Sequence, residues 1–467
     1  MPVLDLDVVA ESAAGELAAY LDHDQVHVGG ACYDATRTVW NGAIDHYPAV
    51  IARPWTRGDV QAAIRTAREH QMPLSVRGGG HDWAGRSVRP GGMLIDLSRM
   101  RRVCVDPASR TATVAGGATV ADVMAAAGRH GLTAAAGTAR EVGMTGLTLS
   151  GGYGPLTGHF GLALDNLLSA DVVLEDGRFV RADATREPEL YWALRGGGGN
   201  FGVVTETRIR LHPLTEVTAG LVLYPWRDAP DVWRSLDFLL ASAPRELTVQ
   251  SGVSSGPDGE PVLYVMPTWS GDPVHGEKVL AELRRLGRPL VSRLVRMPPG
   301  GTLDLLASAP AGRHYAIRTR NVATLTPDVI LALVRAGAAR TSPLSGITIR
   351  HFHGKPTLVA GTATAFGERR EHFLVEVTAA WESGDTDAAL HRAWADSLAT
   401  ALVPSALCGA YPGLLADDDT YQITHAYGPN TDRLLGAKKK YDPYGIFSAT
   451  PLPTAHPPRS WIVPERP

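Results

Sequence analysis

The sequence predicts an α+β protein whose two halves differ in texture. Short helical and short strand patterns alternate in the first half of the chain. After Pro213, longer strand-like runs are interleaved with helices rich in Ala, Leu and Arg. Glycine supplies 50 of the 467 residues, and its densest blocks all precede this change. These observations predict one domain over residues 1–215 and a second over residues 216–405.

The first domain contains two helices that begin with clear capping signals. Residues 56–71 start with Thr56, place Asp59 three positions later, and set Val60 and Ile64 on one face. Residues 119–130 start in the same way and end before Gly131. A Thr followed three residues later by a side chain that accepts hydrogen bonds satisfies the free N–H groups of a helix start. Short strands are predicted around these helices, at residues 74–76, 93–96, 103–106, 111–114, 167–174 and 203–211.

The second domain combines alternating strand patterns with amphipathic helices. Strands are predicted at residues 220–224, 247–253, 262–266, 347–353 and 373–380, and helices at residues 276–286 and 327–336. Residues 427–453 form a tail with a basic helix and an end that contains several prolines.

Charge and composition exclude several classes of protein. Lys and Arg number 45 against 48 Asp and Glu, a net charge of −3, and no basic run is present, so nucleic acid or an anionic membrane is not the expected partner. Cys32, Cys104 and Cys408 are widely separated, which argues against a disulfide framework or a structural zinc. No run of 18 apolar residues occurs. We expect a soluble, cytoplasmic protein.

The first glycine block, Gly78, Gly79 and Gly80, directly follows a predicted strand and Arg77. Consecutive glycines let backbone N–H groups point into one concavity and let a ligand approach closely. The block is interpreted as an anion-binding loop that would suit a pyrophosphate, although a triple glycine is more often a flexible turn. His81, an imidazole at the end of the loop, favours the binding interpretation.

The second block runs over residues 137–154 and contains six glycines among Thr, Ser and apolar residues. Such a backbone can lie flat against a large planar ligand and hydrogen-bond to its rim. The alternative is a surface loop with tight turns. Because residues 144–149 are less polar than most loops, we favour the ligand interpretation.

The third block, residues 196–202, contains a G-x-G-x-x-G pattern at Gly197, Gly199 and Gly202. That pattern marks a dinucleotide-binding Rossmann site only when a strand precedes it and a helix follows. Here a helical segment precedes the glycines and a strand follows them. A Rossmann domain for a nicotinamide cofactor is therefore excluded.

Two further patterns lie on predicted strands of the second domain. His351 and His353 share one strand face at a spacing that could bind a metal, but no third ligand is near in sequence, so no metal site is expected. Glu376 lies on the face opposite Val375 and Val377. Its carboxylate either faces solvent or lines a cavity as a buried base, and the sequence does not decide between these.

In their order along the chain, these blocks resemble the vanillyl-alcohol-oxidase/PCMH-type FAD oxidoreductases and, among these, the berberine-bridge-enzyme-like oxidases. The resemblance covers almost the whole chain. It rests on Arg53-Pro54, on Arg77 through His81, on Val142-Gly143 through Gly154, on Trp192 through Gly202, and on the tail segments Tyr427-Gly428-Pro429-Asn430, Arg433-Leu434 and Lys440-Tyr441-Asp442-Pro443 with Phe447.

The resemblance implies a two-lobed FAD-binding domain over residues 1–215, a substrate domain with an antiparallel sheet covered by helices over residues 216–405, and a return to the FAD-binding domain over residues 406–467. It implies that His81 is bonded to the 8-methyl carbon of FAD. Many relatives have a second flavin bond through a Cys at the position of Ala139, so we predict a single bond here. The implied FAD-binding residues are Arg77, Gly78, Gly79, Gly80, His81, Gly85, Thr138, Val142, Gly143, Thr145, Gly146, Gly151, Gly152, Tyr153, Gly154, Gly198, Asn200, Phe201, Gly202, Val203, Tyr427 and Asn430.

The resemblance also implies oxidation of a small organic substrate, such as a natural product, a sugar or an alkaloid. Hydride would pass to flavin N5, a base would take the O–H or N–H proton, and O2 would reoxidise the flavin to give H2O2. Glu376 is the first candidate for the base, followed by His353 and Tyr421. Alternatives are a flavin-containing oxygenase, a non-redox cyclase, and a flavin-binding protein without catalytic activity.

Overall fold

The structure is a computed structural model that describes residues 6–305 and 309–453. It confirms the predicted α+β class. Its helices are α1 (Leu6–Leu17), α2 (Ala31–Arg37), α3 (Arg57–Glu69), α4 (Val120–Gly128), α5 (Met144–Ser150), α6 (Thr157–Phe160), α7 (Pro188–Gly197), α8 (Ala229–Leu240), α9 (Pro273–Leu283), α10 (Pro327–Ala338), α11 (Ala388–Ala401), α12 (Thr420–His425) and α13 (Thr431–Tyr441).

The first lobe is a four-stranded sheet packed against α1 and α3. Its strands are β1 (Val26–His27), β2 (Val50–Ala52), β3 (Leu74–Arg77) and β4 (Met93–Asp96), in the spatial order β1-β2-β4-β3. The capping box predicted for α3 is present, since the Thr56 side chain accepts from the Asp59 N–H and the Asp59 side chain accepts from the Thr56 N–H. Val60 and Ile64 on the inner face of α3 are fully buried. The predicted helix is therefore fixed by its cap and its apolar face.

The second lobe is a five-stranded antiparallel sheet in the order β5-β6-β10-β8-β9. These strands are β5 (Val103–Asp106), β6 (Thr111–Ala115), β8 (Leu167–Val173), β9 (Phe179–Asp183) and β10 (Val203–Arg210), and the short strands β7 (Leu132–Thr133) and β11 (His212–Pro213) pair beside them. Buried side chains of α13 and of the segment before it join those of α7 in one core, among them Tyr427, Leu434 and Trp192. The tail thus packs on the second lobe.

The remaining sheet has seven antiparallel strands in the order β15-β12-β14-β13-β17-β18-β16. They are β12 (Val217–Pro225), β13 (Leu247–Ser255), β14 (Pro261–Trp269), β15 (Val291–Met297), β16 (His314–Val322), β17 (Gly346–Phe352) and β18 (His372–Trp381). Apolar side chains of α8, α9, α10 and α11 share a core with one face of this sheet, including Trp233, Leu280, Leu333 and Leu398. The opposite face carries Glu376.

A buried ion pair joins the second lobe to the loop that precedes β18. Arg369 donates to both carboxylate oxygens of Asp165, at 3.0 and 2.9 Å. Both side chains are almost completely buried, and Arg369 also donates to the Thr364 hydroxyl and to the Phe366 carbonyl. A bidentate pair of this kind fixes the relative orientation of the segments that it connects.

Replacing Arg369 with methionine should lower the free energy of unfolding by about 3 to 5 kcal/mol, because Asp165 would stay buried without its cation. The shift in the midpoint of denaturant-induced unfolding measures this loss. Arg234→Met is the matched control. Its partner is the exposed Asp231, and loss of such a surface pair should cost less than about 1 kcal/mol. Equal losses of unfolding free energy in the two variants would show that the buried pair stabilises the protein no more than a surface pair does.

Candidate active site

A cavity of about 400 Å³ lies where the two lobes, the seven-stranded sheet and the tail meet. All three glycine blocks contribute to its wall. The first lobe supplies several of the residues between Leu74 and Ser87, and the second lobe supplies residues around Gly143 and Gly198. The sheet face supplies Ile317, Arg350, Leu374 and Glu376, and the tail supplies Tyr411, Gly413, Leu414 and Phe447 through Thr450.

The predicted FAD-binding residues divide into those that line this cavity and those that support its wall. The first group is Gly78, Gly79, Gly80, His81, Thr138, Val142, Gly143, Thr145, Gly146, Tyr153, Gly198 and Gly202. The second group, which the structure does not bring to the cavity surface, is Arg77, Gly85, Gly151, Gly152, Gly154, Asn200, Phe201, Val203, Tyr427 and Asn430.

The first and second glycine blocks lie backbone against backbone. A Cβ atom at Gly79 would lie 2.8 Å from the Gly143 Cα atom, and one at Gly143 would lie 2.5 Å from the Gly79 nitrogen. Gly80 has a φ of +70°, a conformation that favours glycine. The absence of side chains therefore lets the two loops form one continuous wall beside the cavity.

The glycines after α5 serve a different purpose. A Cβ atom at Gly151 would lie 2.9 Å from the Tyr411 ring carbon Cζ, and one at Gly152 would overlap Ala163. The Gly152 N–H donates to the Tyr411 hydroxyl oxygen at 2.8 Å. Gly151 and Gly152 therefore allow the segments that carry Tyr411 and Ala163 to approach α5 closely. Neither glycine lines the cavity, where a ligand contact was expected.

Other members of the supporting group also have protein partners. The Asn200 side-chain amide donates to the Gly197 and Thr450 carbonyl oxygens, and its oxygen accepts from the Ala449 N–H, so it fixes the tail segment that lines the cavity. Phe201 and Val203 are fully buried in apolar cores. Arg77 donates to the Thr36 carbonyl oxygen, and Gly85 packs on the Ile44 side chain. Tyr427 donates to the Pro451 carbonyl, and Asn430 donates to the Gly361 and Thr364 carbonyls.

His81 lies at the end of the first glycine loop and lines the cavity. Its imidazole is stacked on the Trp40 ring, with 5.2 Å between the ring centroids and 21° between the planes. Burial lowers the pKa of His81. The imidazole is therefore neutral at pH 7 and keeps a free lone pair on one ring nitrogen.

Glu376 faces the cavity, which settles the question that the sequence left open. Its carboxylate is paired with the Arg350 guanidinium, and the Thr378 hydroxyl donates to its other oxygen at 3.3 Å. Arg350 is on β17, next to β18, and also lines the cavity. The carboxylate is thus held in one orientation at the wall.

The other two predicted bases lie elsewhere. His353 is one residue beyond the end of β17, is 3% exposed, and stacks on His351 with 4.2 Å between ring centroids. Tyr421 is on α12 with 67% of its surface exposed, and its ring lies beside His425. Neither residue lines the cavity, and a base must come within hydrogen-bond reach of its substrate. Their positions therefore favour Glu376 over His353 and Tyr421 as the base.

Several residues that line the cavity are not predicted as site residues from the sequence. Trp40, Trp83, Arg350 and Tyr411 come from segments far apart in sequence, and each is large enough to shape the wall. Alternation along β17 and β18 could have found Arg350 as a neighbour of Glu376. Nothing local to Trp40 indicates that it reaches the cavity.

The described residues contain no cluster of three or more His, Cys, Asp or Glu side chains that could hold a metal ion. In the same part of the chain, no helix is both long and apolar enough to cross a membrane.

Comparison with known proteins decides the family. A family model described as an FAD binding domain matches residues 48–183. The FAD-linked oxidoreductase aurO of Gibberella zeae is 32% identical over 460 residues, which cover 96% of this chain and 88% of that protein. This chain is a berberine-bridge-enzyme-like FAD-linked oxidoreductase. The family resemblance, the FAD cofactor and the oxidoreductase class expected from the sequence are confirmed.

Other relatives of this oxidoreductase agree in sequence and in structure. The (R)-6-hydroxynicotine oxidase of Paenarthrobacter nicotinovorans is 30% identical over 433 residues, which cover 89% of the chain and 93% of that protein. The crystal structure of 6-hydroxy-D-nicotine oxidase from Arthrobacter nicotinovorans superposes with a TM-score of 0.85 at 26% identity, covering 92% and 98% of the two chains. A variant of berberine bridge enzyme shares the fold, with a TM-score of 0.84 at 20% identity and coverage of 94% and 98%.

The cavity wall suits FAD on chemical grounds. Its glycines keep side chains away from one side, as a large planar group requires. Within the described structure, the hydroxyl oxygens of Ser87 and Thr145 are buried at the cavity without a hydrogen-bond partner. Buried hydroxyls are rarely left without a partner, so these two are available to polar groups of a bound cofactor.

Proposed function

We propose that this protein is an FAD-dependent oxidase whose flavin is attached through one covalent bond, to His81, and that it oxidises a small organic molecule and passes the electrons to O2. The juxtaposition of His81 and Glu376 on the wall of one glycine-lined cavity carries this proposal. His81 lies on the cofactor side of that cavity and Glu376 on the sheet face that belongs to the expected substrate domain.

The side chains at the wall support the proposal of a single covalent bond. Neutral His81 has the lone pair that bond formation needs. The glucooligosaccharide oxidase of Acremonium strictum, which shares this fold at a TM-score of 0.82 and 23% identity, is described as having a 6-S-cysteinyl, 8α-N1-histidyl FAD. Here Ala139 lines the cavity where the resemblance places the cysteine, and none of Cys32, Cys104 and Cys408 lines the part of the cavity that the structure describes. One attachment point is therefore proposed.

The residues that would hold the cofactor are those of the glycine wall together with Ser87, Thr145 and Tyr153. Bound FAD supplies the hydride acceptor, at flavin N5. The loop backbones would orient the flavin and would keep water from its glycine-lined side. Asn200 contributes indirectly, because it fixes the tail segment from Ser448 to Thr450 against the third glycine block.

Glu376 is proposed to take the proton of the substrate O–H or N–H group. The Arg350 and Thr378 contacts leave its carboxylate in a fixed orientation, so that little reorganisation is needed when the proton arrives. Tyr153, Leu374 and Tyr411 line the same cavity and offer an aromatic and apolar surface for the carbon skeleton of a substrate. Relatives are named for oxidation of nicotine derivatives and oligosaccharides, and we propose a small organic substrate of this general kind.

Anaerobic mixing with a panel of small alcohols, phenols, amines and sugars tests the proposed reaction. A substrate should bleach the visible flavin absorbance without O2, and admission of O2 should restore the absorbance and release one H2O2 per turnover. Product formed without bleaching would indicate the non-redox cyclase instead. Incorporation of an oxygen atom from O2 into the product would indicate the oxygenase.

A further inference from the structure

Three aromatic rings form a continuous stack that begins at His81. The Trp40 indole stacks on the His81 imidazole and on the Tyr315 ring, with 3.9 Å between the Trp40 and Tyr315 centroids and only 10° between their planes. Tyr315 belongs to β16 of the seven-stranded sheet. The stack therefore connects His81, the proposed attachment residue, to the domain that contains the seven-stranded sheet.

Trp40 is anchored from both domains. Its backbone N–H donates to the Gly80 carbonyl oxygen at 3.0 Å, next to His81, and its indole N–H donates to the Ala309 carbonyl oxygen at 2.8 Å. The neighbouring Asn41 side chain donates to the Tyr315 carbonyl and accepts from the Tyr315 N–H. The indole plane is thus fixed relative to the loop of His81 and relative to β16.

We propose that Trp40 is the positioning residue that sets the plane of the His81 imidazole for its bond to FAD, and that docking of β16 behind Trp40 is required for efficient attachment. An imidazole on a glycine-rich loop can rotate about its side-chain bonds, and a flat partner on one face restricts that rotation. Bond formation between a fixed ring nitrogen and a carbon atom depends steeply on orientation. This inference rests on the proposed role of His81.

The attachment step must balance in atoms and electrons. One C–N bond forms between an imidazole nitrogen and the 8-methyl carbon, while one N–H bond and one methyl C–H bond break. Two protons and two electrons leave in total, and O2 takes them up as H2O2. Trp40 takes no part in this exchange, because its role is to orient the imidazole.

Reconstitution of apoprotein, produced under flavin limitation and then mixed with FAD in air, measures the attachment rate directly. The readout is flavin that stays with the protein after acid precipitation, followed over time, together with the dissociation constant for FAD before attachment. At saturating FAD, Trp40→Leu should slow attachment by about tenfold or more, whatever its effect on the dissociation constant. Trp40→Phe keeps a flat ring and should stay within about threefold of the wild-type rate.

Trp192 provides a matched control. It is buried, its indole N–H also donates to a carbonyl of a distant segment, that of Thr362 at 2.8 Å, and its ring packs under Arg433. Trp192→Leu should destabilise the fold at least as much as Trp40→Leu, yet the folded protein should attach FAD at the wild-type rate. Equal slowing in both leucine variants would mean that general destabilisation explains the effect, which overturns the proposal.

Tyr315→Leu tests whether attachment requires the docking of β16 against Trp40. It also tests the proposal if Trp40→Leu does not fold. It leaves Trp40 and His81 in place but removes the ring behind them, so attachment should slow by several-fold. A wild-type rate in Tyr315→Leu contradicts the requirement for docking, and a wild-type rate in Trp40→Leu contradicts the positioning role. His81→Ala tests the attachment site separately from the role of Trp40, since acid-stable flavin in that variant would refute attachment at His81.

Discussion

Leucine in place of Gly146 should prevent FAD binding while the chain remains folded. Gly146 is on α5 and lines the cavity, and apart from its chain neighbours and the backbone of its own helix no described atom lies within 4 Å of the position where its Cβ would be. A larger side chain there would extend into space that the cofactor needs without disturbing the protein. The dissociation constant for FAD before covalent attachment should rise on the order of 100-fold, because steric overlap in a filled site costs a few kcal/mol.

The measurement is the ratio of flavin to protein in the purified variant, together with its thermal unfolding. Gly128→Leu is the matched control, because Gly128 is also a helical glycine with open space at its Cβ but does not line the cavity. Compared with the wild-type protein in the FAD-free form, both substitutions should leave the unfolding temperature unchanged or slightly higher, since leucine favours a helix more than glycine does. Normal flavin content in Gly146→Leu would show that the cofactor does not occupy this part of the cavity.

Glutamine in place of Glu376 should slow flavin reduction by substrate on the order of 100-fold, because the amide keeps the shape of the side chain but cannot accept the proton. Stopped-flow absorbance under anaerobic conditions measures this rate for each bound flavin. The variant should also be less stable, since the partly buried Arg350 would lose the anion that compensates its charge. The rate, normalised to flavin content, separates the two effects.

Glu371→Gln is the control for this substitution. Glu371 is just before β18, and its carboxylate pairs with His351 away from the cavity with 54% of the side chain exposed. Its replacement should change the reduction rate less than about twofold, as is usual for a surface site. An unchanged rate in Glu376→Gln would remove Glu376 as the base and would direct attention to Tyr411, whose ring also lines the cavity.

Local sequence signals predicted those parts of the fold that depend on near neighbours. The cap residues Thr56 and Thr119 begin α3 and α4, and both capping boxes are present. The glycine blocks of both lobes meet at one cavity because each follows or precedes a strand or helix whose end lies there. By contrast, β15 was missed, since Val291–Met297 mixes Val and Leu with Ser and Arg at an exposed sheet edge and has no clear alternation.

The sequence does not show which glycines line the cavity and which ones pack against other segments of the protein. Gly146 and Gly151 are five residues apart in one block, yet one faces the cavity and the other faces the Tyr411 ring. That difference is set by the tail, which returns from a distant part of the chain. The position of His353 away from the cavity was also not predictable, because His353 lies just beyond β17, where strand alternation no longer determines the direction of a side chain.

The flavin that remains with the protein after acid denaturation tests the covalent attachment most directly. Wild-type protein should retain one flavin per chain in the acid precipitate, visible as fluorescence on a denaturing gel and as a mass increase equal to one FAD. His81→Ala should retain none, although it can still bind FAD reversibly in the native state. Complete release of flavin from the wild-type protein, or acid-stable flavin in His81→Ala, would contradict attachment through His81.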